Sequence, residues 1–191
     1  MADYAHELGY WDSPINQWVE MGRHYVYAAK MGIEVQNYWF RVHGKRIVDI
    51  GGGPCSMLLQ TWDAFAPCVV DPCNYPNWVR QRYEQRLINV LPLKGEQLGE
   101  AWPLGKVDEV WIYNVLQHVE SPDIVIKNAL AIGKTLRIFE WIDIPSYEGH
   151  PHMLTKAGLD EWIGADGETG IIHEPQWAMH GGKYYATVKE V

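Results

Sequence analysis

Apolar residues in this chain fall into short continuous runs separated by stretches with helical spacing. Runs of four to eight apolar residues bounded by turn residues suit strands buried on both faces, as in a parallel sheet. Five strands are expected, Arg46–Ile50, Cys68–Val70, Ile88–Leu93, Val107–Tyr113 and Thr135–Trp141, the first, second and fourth of them as apolar runs. Between them, helices are expected at Pro54–Phe65, at Tyr75–Leu87 and after Ser121-Pro122-Asp123, the last with Ile124, Val125, Ala129, Leu130 and Ile132 on its apolar face. Arg80, Arg82 and Arg86 read as a solvated face, with Arg80 and Glu84 paired at i, i+4. Thr155 should cap a short helix with Leu159, Trp162 and Ile163 facing inward and Gly164 at its end. Two late strands, Gly170–Trp177 and Lys183–Lys189, are joined across Met179–Gly182, so an antiparallel pair is expected.

Ahead of this alternation lie residues 1–43. Ser13-Pro14 reads as a helix cap and first residue, and Trp18, Met21, Gly22, Tyr25, Ala28 and Ala29 share one helical face. A second helical run is expected from Ile33 to Val42. Alternating strands and helices imply a doubly wound α/β fold with helices on both faces of the sheet. One domain is expected over 1–191, with 1–43 as a helical cap over the edge of the sheet or over a cleft and 44–191 as the core.

Arg46-Ile47-Val48-Asp49-Ile50-Gly51-Gly52-Gly53-Pro54 carries the chemistry. A buried strand runs into three glycines that tolerate φ > 0 and let a ligand approach the backbone. This builds a cradle at the carboxyl end of a strand. Asp71, about twenty residues on and at the end of the second apolar run, suits a ribose diol.

These residues resemble the class I S-adenosylmethionine-dependent methyltransferases. Asp49-Ile50-Gly51-Gly52-Gly53-Pro54 looks like that family's first motif, D-x-G-x-G-P, and Asn114-Val115-Leu116-Gln117-His118-Val119 looks like its fourth-strand signature. The resemblance covers about residues 45–190. Cys55 and the run Ile132-Gly133-Lys134 depart from the family pattern. The resemblance implies a Rossmann-like, mostly parallel seven-stranded sheet ending in an antiparallel hairpin, with S-adenosylmethionine as cofactor. It implies that Gly51, Gly52 and Gly53 lie under the amino-acid portion and ribose, and that Asp49 holds the loop or the ligand's ammonium group. Asp71 with Pro72 would meet the ribose, Glu96 with Gln97 the adenine, and Asn114, Val115 and His118 the methionine end. A base is needed only if the acceptor must lose a proton, and the candidates are His118, Glu140, His150 and His152. Tyr25, Trp39, Trp141 and His152 are candidate walls of the acceptor pocket.

Composition narrows the partners. A net charge of −8 argues against a nucleic-acid acceptor, although a local basic patch is compatible with it. The subclass of base methyltransferases with D/N-P-P-Y/F at the fourth-strand end is also disfavoured, because Val115-Leu116-Gln117 follows Asn114. A small-molecule acceptor is the expectation. No apolar run is long enough for a membrane span. Met1-Ala-Asp-Tyr-Ala-His-Glu is not a signal peptide, and a cytoplasmic location is expected. Cys55, Cys68 and Cys73 read as reduced structural thiols. No metal site is expected, since His150 and His152 have only Glu148 beside them. Two alternatives stand. Gly51-x-Gly53-x-x-Ser56 is close to the dinucleotide fingerprint of an NAD(P)-dependent oxidoreductase. A non-catalytic S-adenosylmethionine-binding protein would keep the same motifs.

Overall fold

The structure is a computed structural model that describes residues 4–102, 105–173 and 182–191. Seven strands form one sheet: β3 (Ile47–Ile50), β4 (Cys68–Val70), β5 (Asn89–Leu91), β6 (Val107–Tyr113), β7 (Gly133–Trp141), β8 (Glu168–Ile171) and β9 (Lys183–Glu190). Their order is β5-β4-β3-β6-β7-β9-β8. β3 to β7 are parallel neighbours, while β9 runs antiparallel to β7 and β8 antiparallel to β9. The expected mostly parallel sheet with an antiparallel C-terminal pair is therefore present. Residues 174–177 of the expected strand Gly170–Trp177, and Met179–Gly181 of the turn, lie outside the described residues.

Alternation along the strands divides the core into two layers of different chemistry. Val48, Ile50, Val110, Ile112, Leu136 and Ile138 point to one face, where α5 (Pro122–Ile132) contributes Val125, Ile126 and Ala129 and α6 (Lys156–Ile163) contributes Leu159 and Ile163. Trp111, Tyr113, Phe139 and Trp141 point to the other, against Tyr27, Ala28 and Met31 from the N-terminal part of the chain. One layer is aliphatic and the other is built from rings. Tyr27 lies 4.4 Å from Phe139 between ring centroids, and Phe139 stacks on Tyr184 at 5.6 Å. Trp111 and Trp141 are thus core, whereas Trp18, Trp39, Trp62, Trp78 and Trp162 are exposed, and each fully buried side chain of this size contributes about 1.5–3 kcal/mol.

α2 (Pro14–Lys30) starts where expected, with Ser13 Oγ accepting from Asn16 N–H at 3.4 Å. Its inward face differs from the expected one. Glu20, Arg23, His24, Tyr27 and Ala28 are buried, while Trp18 is 76% exposed. The apolar spacing misled because the buried face carries a polar network. Ahead of α2, a helix not foreseen, α1 (Ala5–Trp11), buries none of its residues.

The expected helix Ile33–Val42 is instead a hairpin, β1 (Glu34–Gln36) with β2 (Trp39–Arg41). Asn37 and Tyr38 turn it with φ of 49° and 66°. Two successive positive φ values match the twist of a two-residue hairpin loop. The expected helix Pro54–Phe65 is reduced to two single 3₁₀ turns, Gly53–Cys55 and Met57–Gln60. Ser56 interrupts it with extended backbone (ψ 140°), because its hydroxyl is tied to Asp49. α3 (Asn77–Gln85) makes the expected Arg80–Glu84 pair. Arg82 and Arg86 are not merely solvated. They donate to the carbonyls of Pro54 and Thr61 and so brace the irregular segment that replaces a helix. Thr155 caps α6 as expected and Gly164 ends it in the left-handed region, but Trp162 is 37% exposed. No helix of the described residues is long and apolar enough to cross a membrane.

Candidate ligand-binding cavity

The carboxyl ends of β3, β4 and β6 open into a cavity of about 670 Å³. That volume is in the range of small-molecule sites. Its floor is Gly51, Gly53, Val70, Asp71, Asn114 and Val115. Lys94, Gly95 and Glu96 line it after β5, and His118, Val119 and Glu120 line it after β6. Its roof comes from α1 and α2: Glu7, Tyr10, Trp11, Asn16, Val19 and Arg23. Tyr147 and His150 close a further side. The N-terminal helices therefore cover the cleft as well as the sheet.

The glycine turn has a specific reason for each residue. Gly51 has φ +73°, and a Cβ there would come within 2.3 Å of Val115 Cγ2. A Cβ on Gly52 would come within 2.8 Å of Asp49 Oδ2, so Gly52 packs on the strand end and does not face the cavity. Gly53 has φ +55°, and its added Cβ would find no atom closer than Tyr75 Oη at 3.6 Å. It leaves open backbone facing the cavity wall formed by Tyr75 and Trp11.

Asp49 lies beneath this turn, fully buried and outside the cavity. Its Oδ2 accepts from Ser56 Oγ and from the Tyr113 hydroxyl. Of its two expected roles, the geometry places it in holding the loop. Burial pushes its pKa up to about 7 against the pull of those two hydrogen bonds. Asp71 does face the cavity. Its Oδ2 accepts from Gly53 N–H at 3.0 Å and its Oδ1 from Cys73 N–H at 2.9 Å. Burial raises it to about 6. Pro72 lines the cavity beside it. Glu96 lines it too, with Oε1 accepting from the backbone of Glu120 and Ser121 at 2.8 and 3.1 Å. Gln97 does not, because its Oε1 turns back to accept from Lys94 N–H.

The four candidate bases separate. His118 and His150 line the cavity, with ring centroids 4.3 Å apart in an edge-to-face arrangement. His118 Nδ1 lies 2.7 Å from the Gly149 carbonyl and 2.9 Å from Glu7 Oε1. Burial disfavours its charged form, but the hydrogen bond and charge of Glu7 outweigh that and the pKa is raised. Glu140 is corrected. It is fully buried behind the loop, where it accepts from Val115 N–H and Leu116 N–H, and burial raises it to about 7. It braces the loop after β6 and does not reach the cavity. His152 is corrected as well. Its Nε2 meets the Glu120 carbonyl at 3.2 Å outside the cavity.

The candidate acceptor walls Tyr25, Trp39 and Trp141 are likewise elsewhere. Tyr25 donates to the Tyr38 carbonyl, Trp39 lies under Arg86, and Trp141 is in the ring layer. The walls that sequence reasoning missed, Glu7, Tyr10 and Arg23, all sit on the two N-terminal helices. A polar residue at i, i+3 on a supposedly apolar helix, as Glu20 and Arg23 are, was the available signal.

No family model matches the chain, and no curated protein matches it in sequence. Solved structures do match it in fold. One is from the complex between the Haloferax volcanii Trm112 methyltransferase activator and a methyltransferase, with TM-score 0.65, 14% identity, and coverage of 94% of this chain and 95% of that one. The 4+2 cyclase SpnF matches with TM-score 0.61, 14% identity and coverage of 86% and 79%. The N-methyltransferase NodS from Bradyrhizobium japonicum WM9, solved with S-adenosyl-L-homocysteine, matches with TM-score 0.57, 9% identity and coverage of 75% and 76%. With its strand order β5-β4-β3-β6-β7-β9-β8 and these likenesses, the chain has the fold of the class I S-adenosylmethionine-dependent methyltransferases.

Proposed function

We propose that the chain is an S-adenosylmethionine-dependent methyltransferase acting on a small molecule. The observation that carries this reading is the single cavity along which Glu96, Asp71, Gly53, Gly51 and Asn114 follow one another. Their chemistry fits the cofactor: carboxylates for an adenine amino group and a ribose diol, bare backbone under the ribose and amino-acid end, and an amide at the far end. Gly53 supports the fit, because its missing side chain leaves that stretch of cavity open. NodS, a neighbour in fold, is solved with the demethylated product of this cofactor.

When bound, S-adenosylmethionine supplies a methyl group already activated on a sulfonium. The chain then has to position the acceptor and exclude water. Asp71 accepts from the ribose hydroxyls while still holding Gly53 N–H. The roof of α1 and α2 closes over the reacting atoms. His118, or His150 packed on it, takes a proton where the acceptor has one to lose.

The test is calorimetric titration with S-adenosylmethionine and S-adenosylhomocysteine. Saturable binding of both is expected, and no binding of either by folded protein would sink the reading. Asp71→Ala should weaken both by roughly ten- to a hundredfold, the range for a lost charge-assisted hydrogen bond. The fold neighbour SpnF is a cyclase, so a second reading keeps the ligand and drops the transfer. It would appear as tight cofactor binding with no methyl transfer across a broad acceptor screen.

A further inference from the structure

A second cavity, of about 580 Å³, shares Trp11 and Tyr75 with the first as a common wall. It opens between the end of α1, with Trp11 and the capping Asp12, and the residues that lead into α3, 74–78. Pro54 of the glycine turn completes it. The methyl-donor reading gives it no occupant, because Glu96, Asp71, Gly51 and Asn114 line the first cavity and none of them lines this one.

Each ring of the lining is held by a partner of its own. Trp11 Nε1 donates to Glu7 Oε2 at 3.1 Å. Tyr75 shares a side-chain hydrogen bond with Cys73. The Arg82 guanidinium lies over the Trp78 ring, 4.9 Å from its centroid, and Nη1 donates to the Pro54 carbonyl at 2.9 Å, which ties two walls together. Rings fixed before a ligand arrives lose little freedom when it binds. Three rings and two prolines suit a flat aromatic group, which packs by offset or edge-to-face stacking. The polar remainder is Asp12, Asn74 and Asn77, and Asp12 is the only charged residue among the described residues of the lining. Arg82 stands outside the lining and is engaged with Trp78 and Pro54. The lining itself therefore offers a ligand negative charge, which favours an amine over a carboxylate on the same ring. A ligand here touches α1 on one side and the glycine turn and α3 on the other. Since α1 buries none of its own residues, that ligand would fasten the roof of the first cavity from outside.

We propose that the second cavity binds an arylalkyl ammonium, with its ring against Trp11, Tyr75 and Trp78 and its ammonium at Asp12, and that its occupation holds α1 closed over the first cavity. The site stands without the methyl-donor reading, and the coupling between the two cavities rests on it.

The probes are tryptamine, its neutral analogue tryptophol and its anionic analogue indole-3-acetate, titrated calorimetrically into the full chain at neutral pH. Tryptamine should bind saturably and most tightly, tryptophol less tightly and indole-3-acetate least. Trp78→Ala should weaken tryptamine at least about tenfold and leave S-adenosylhomocysteine binding unchanged, which also shows that the variant is folded. Asp12→Asn should weaken tryptamine about two- to fivefold, as an exposed ion pair allows, and leave tryptophol as before. Tryptamine and S-adenosylhomocysteine should bind together, each tightening the other by the same factor of about five or more. No tryptamine binding by a chain that binds S-adenosylhomocysteine would overturn the proposal. So would displacement of S-adenosylhomocysteine by tryptamine, which would seat the amine in the first cavity. Tryptamine binding indifferent to both variants, or an S-adenosylhomocysteine affinity unaltered by bound tryptamine, would overturn it as well. A chain that binds tryptamine with the expected variant effects and does not bind S-adenosylhomocysteine would refute the methyl-donor reading instead.

Discussion

Asp49 has one carboxylate oxygen held by two hydroxyls and the other, Oδ1, without a hydrogen-bond partner among the described residues. Burial raises its pKa to about 7, and burial also raises Asp71 to about 6 and Glu140 to about 7. A carboxyl with a higher pKa in the fold than in the unfolded chain binds more protons when folded. Its contribution is present at about pH 4 and is lost as pH rises through the folded value. His118, also raised, acts in the same sense from about pH 6.5 upward. His24, buried and lowered, acts in the opposite sense below that pH. Three carboxyls against one histidine give a melting temperature that falls between pH 5 and pH 8, measured by calorimetry. Asp49→Asn keeps an acceptor for Ser56 and Tyr113 and removes the titration. The variant should flatten that fall, by no more than the order of 1 kcal/mol per pH unit that one proton allows. An unchanged slope would show that Asp49 is not the group that titrates.

The elements legible in the sequence were those whose side chains repeat a period. The strands β3, β4, β6 and β7 are short, mostly buried segments rich in apolar residues, and α2, α5 and α6 carry their caps in Ser13, the Pro122 start and Thr155. The elements that misled were those decided by single backbone positions or by distant partners. Asn37-Tyr38 is not a standard hairpin dipeptide, yet both residues take positive φ and Trp39-Phe40-Arg41 becomes a strand. Ser56 breaks a helix because Asp49, seven residues earlier, captures its hydroxyl. The site divides the same way. Gly51, Gly53, Asp71, Glu96 and Asn114 reach the cavity because strand ends place them, whereas Glu140 is held by the Val115 and Leu116 N–H groups and His152 by the Glu120 carbonyl, partners that no local pattern encodes. Two predictions belong here. Tyr38 holds φ 66° with its side chain 82% exposed, so Tyr38→Gly should stabilise the protein by about 1 kcal/mol or less, read as a higher urea midpoint. Gly51→Ala meets both a φ of +73° and Val115 at 2.3 Å. It should cost at least about 1–2 kcal/mol and weaken nucleoside binding, because Val115 cannot move without disturbing the loop that Glu140 holds.

At the scale of the whole molecule, α1 stands over the cavity without burying a residue of its own in the core. α1 buries no residue, yet Glu7, Tyr10 and Trp11 form much of the cavity roof. Polar contacts are among its fastenings. Glu7 pairs with His118, the Tyr10 carbonyl accepts from Asn16 Nδ2, and the Trp11 carbonyl accepts from Gln17 Nε2. The sheet beneath is secured by two continuous core layers and by β6 and β7 paired along their length. Local opening free energies follow that contrast. Hydrogen exchange should therefore be fast across Ala5–Trp11 and slow across β6 and β7 in the free protein. Ligand that binds only beneath the closed roof stabilises it by mass action, so exchange in α1 should slow by roughly a hundredfold at a hundred times the dissociation constant. Glu7→Gln leaves the fold intact and removes the charge that holds His118, so α1 should exchange faster in that variant. Its effect should shrink as pH rises and the His118 imidazolium loses its proton, since the raised His118 pKa places the charged pair below that transition. Protection of α1 equal to that of β6 in the free protein, or exchange indifferent to ligand, would mean that the roof is a fixed wall and that the ligand enters by another side.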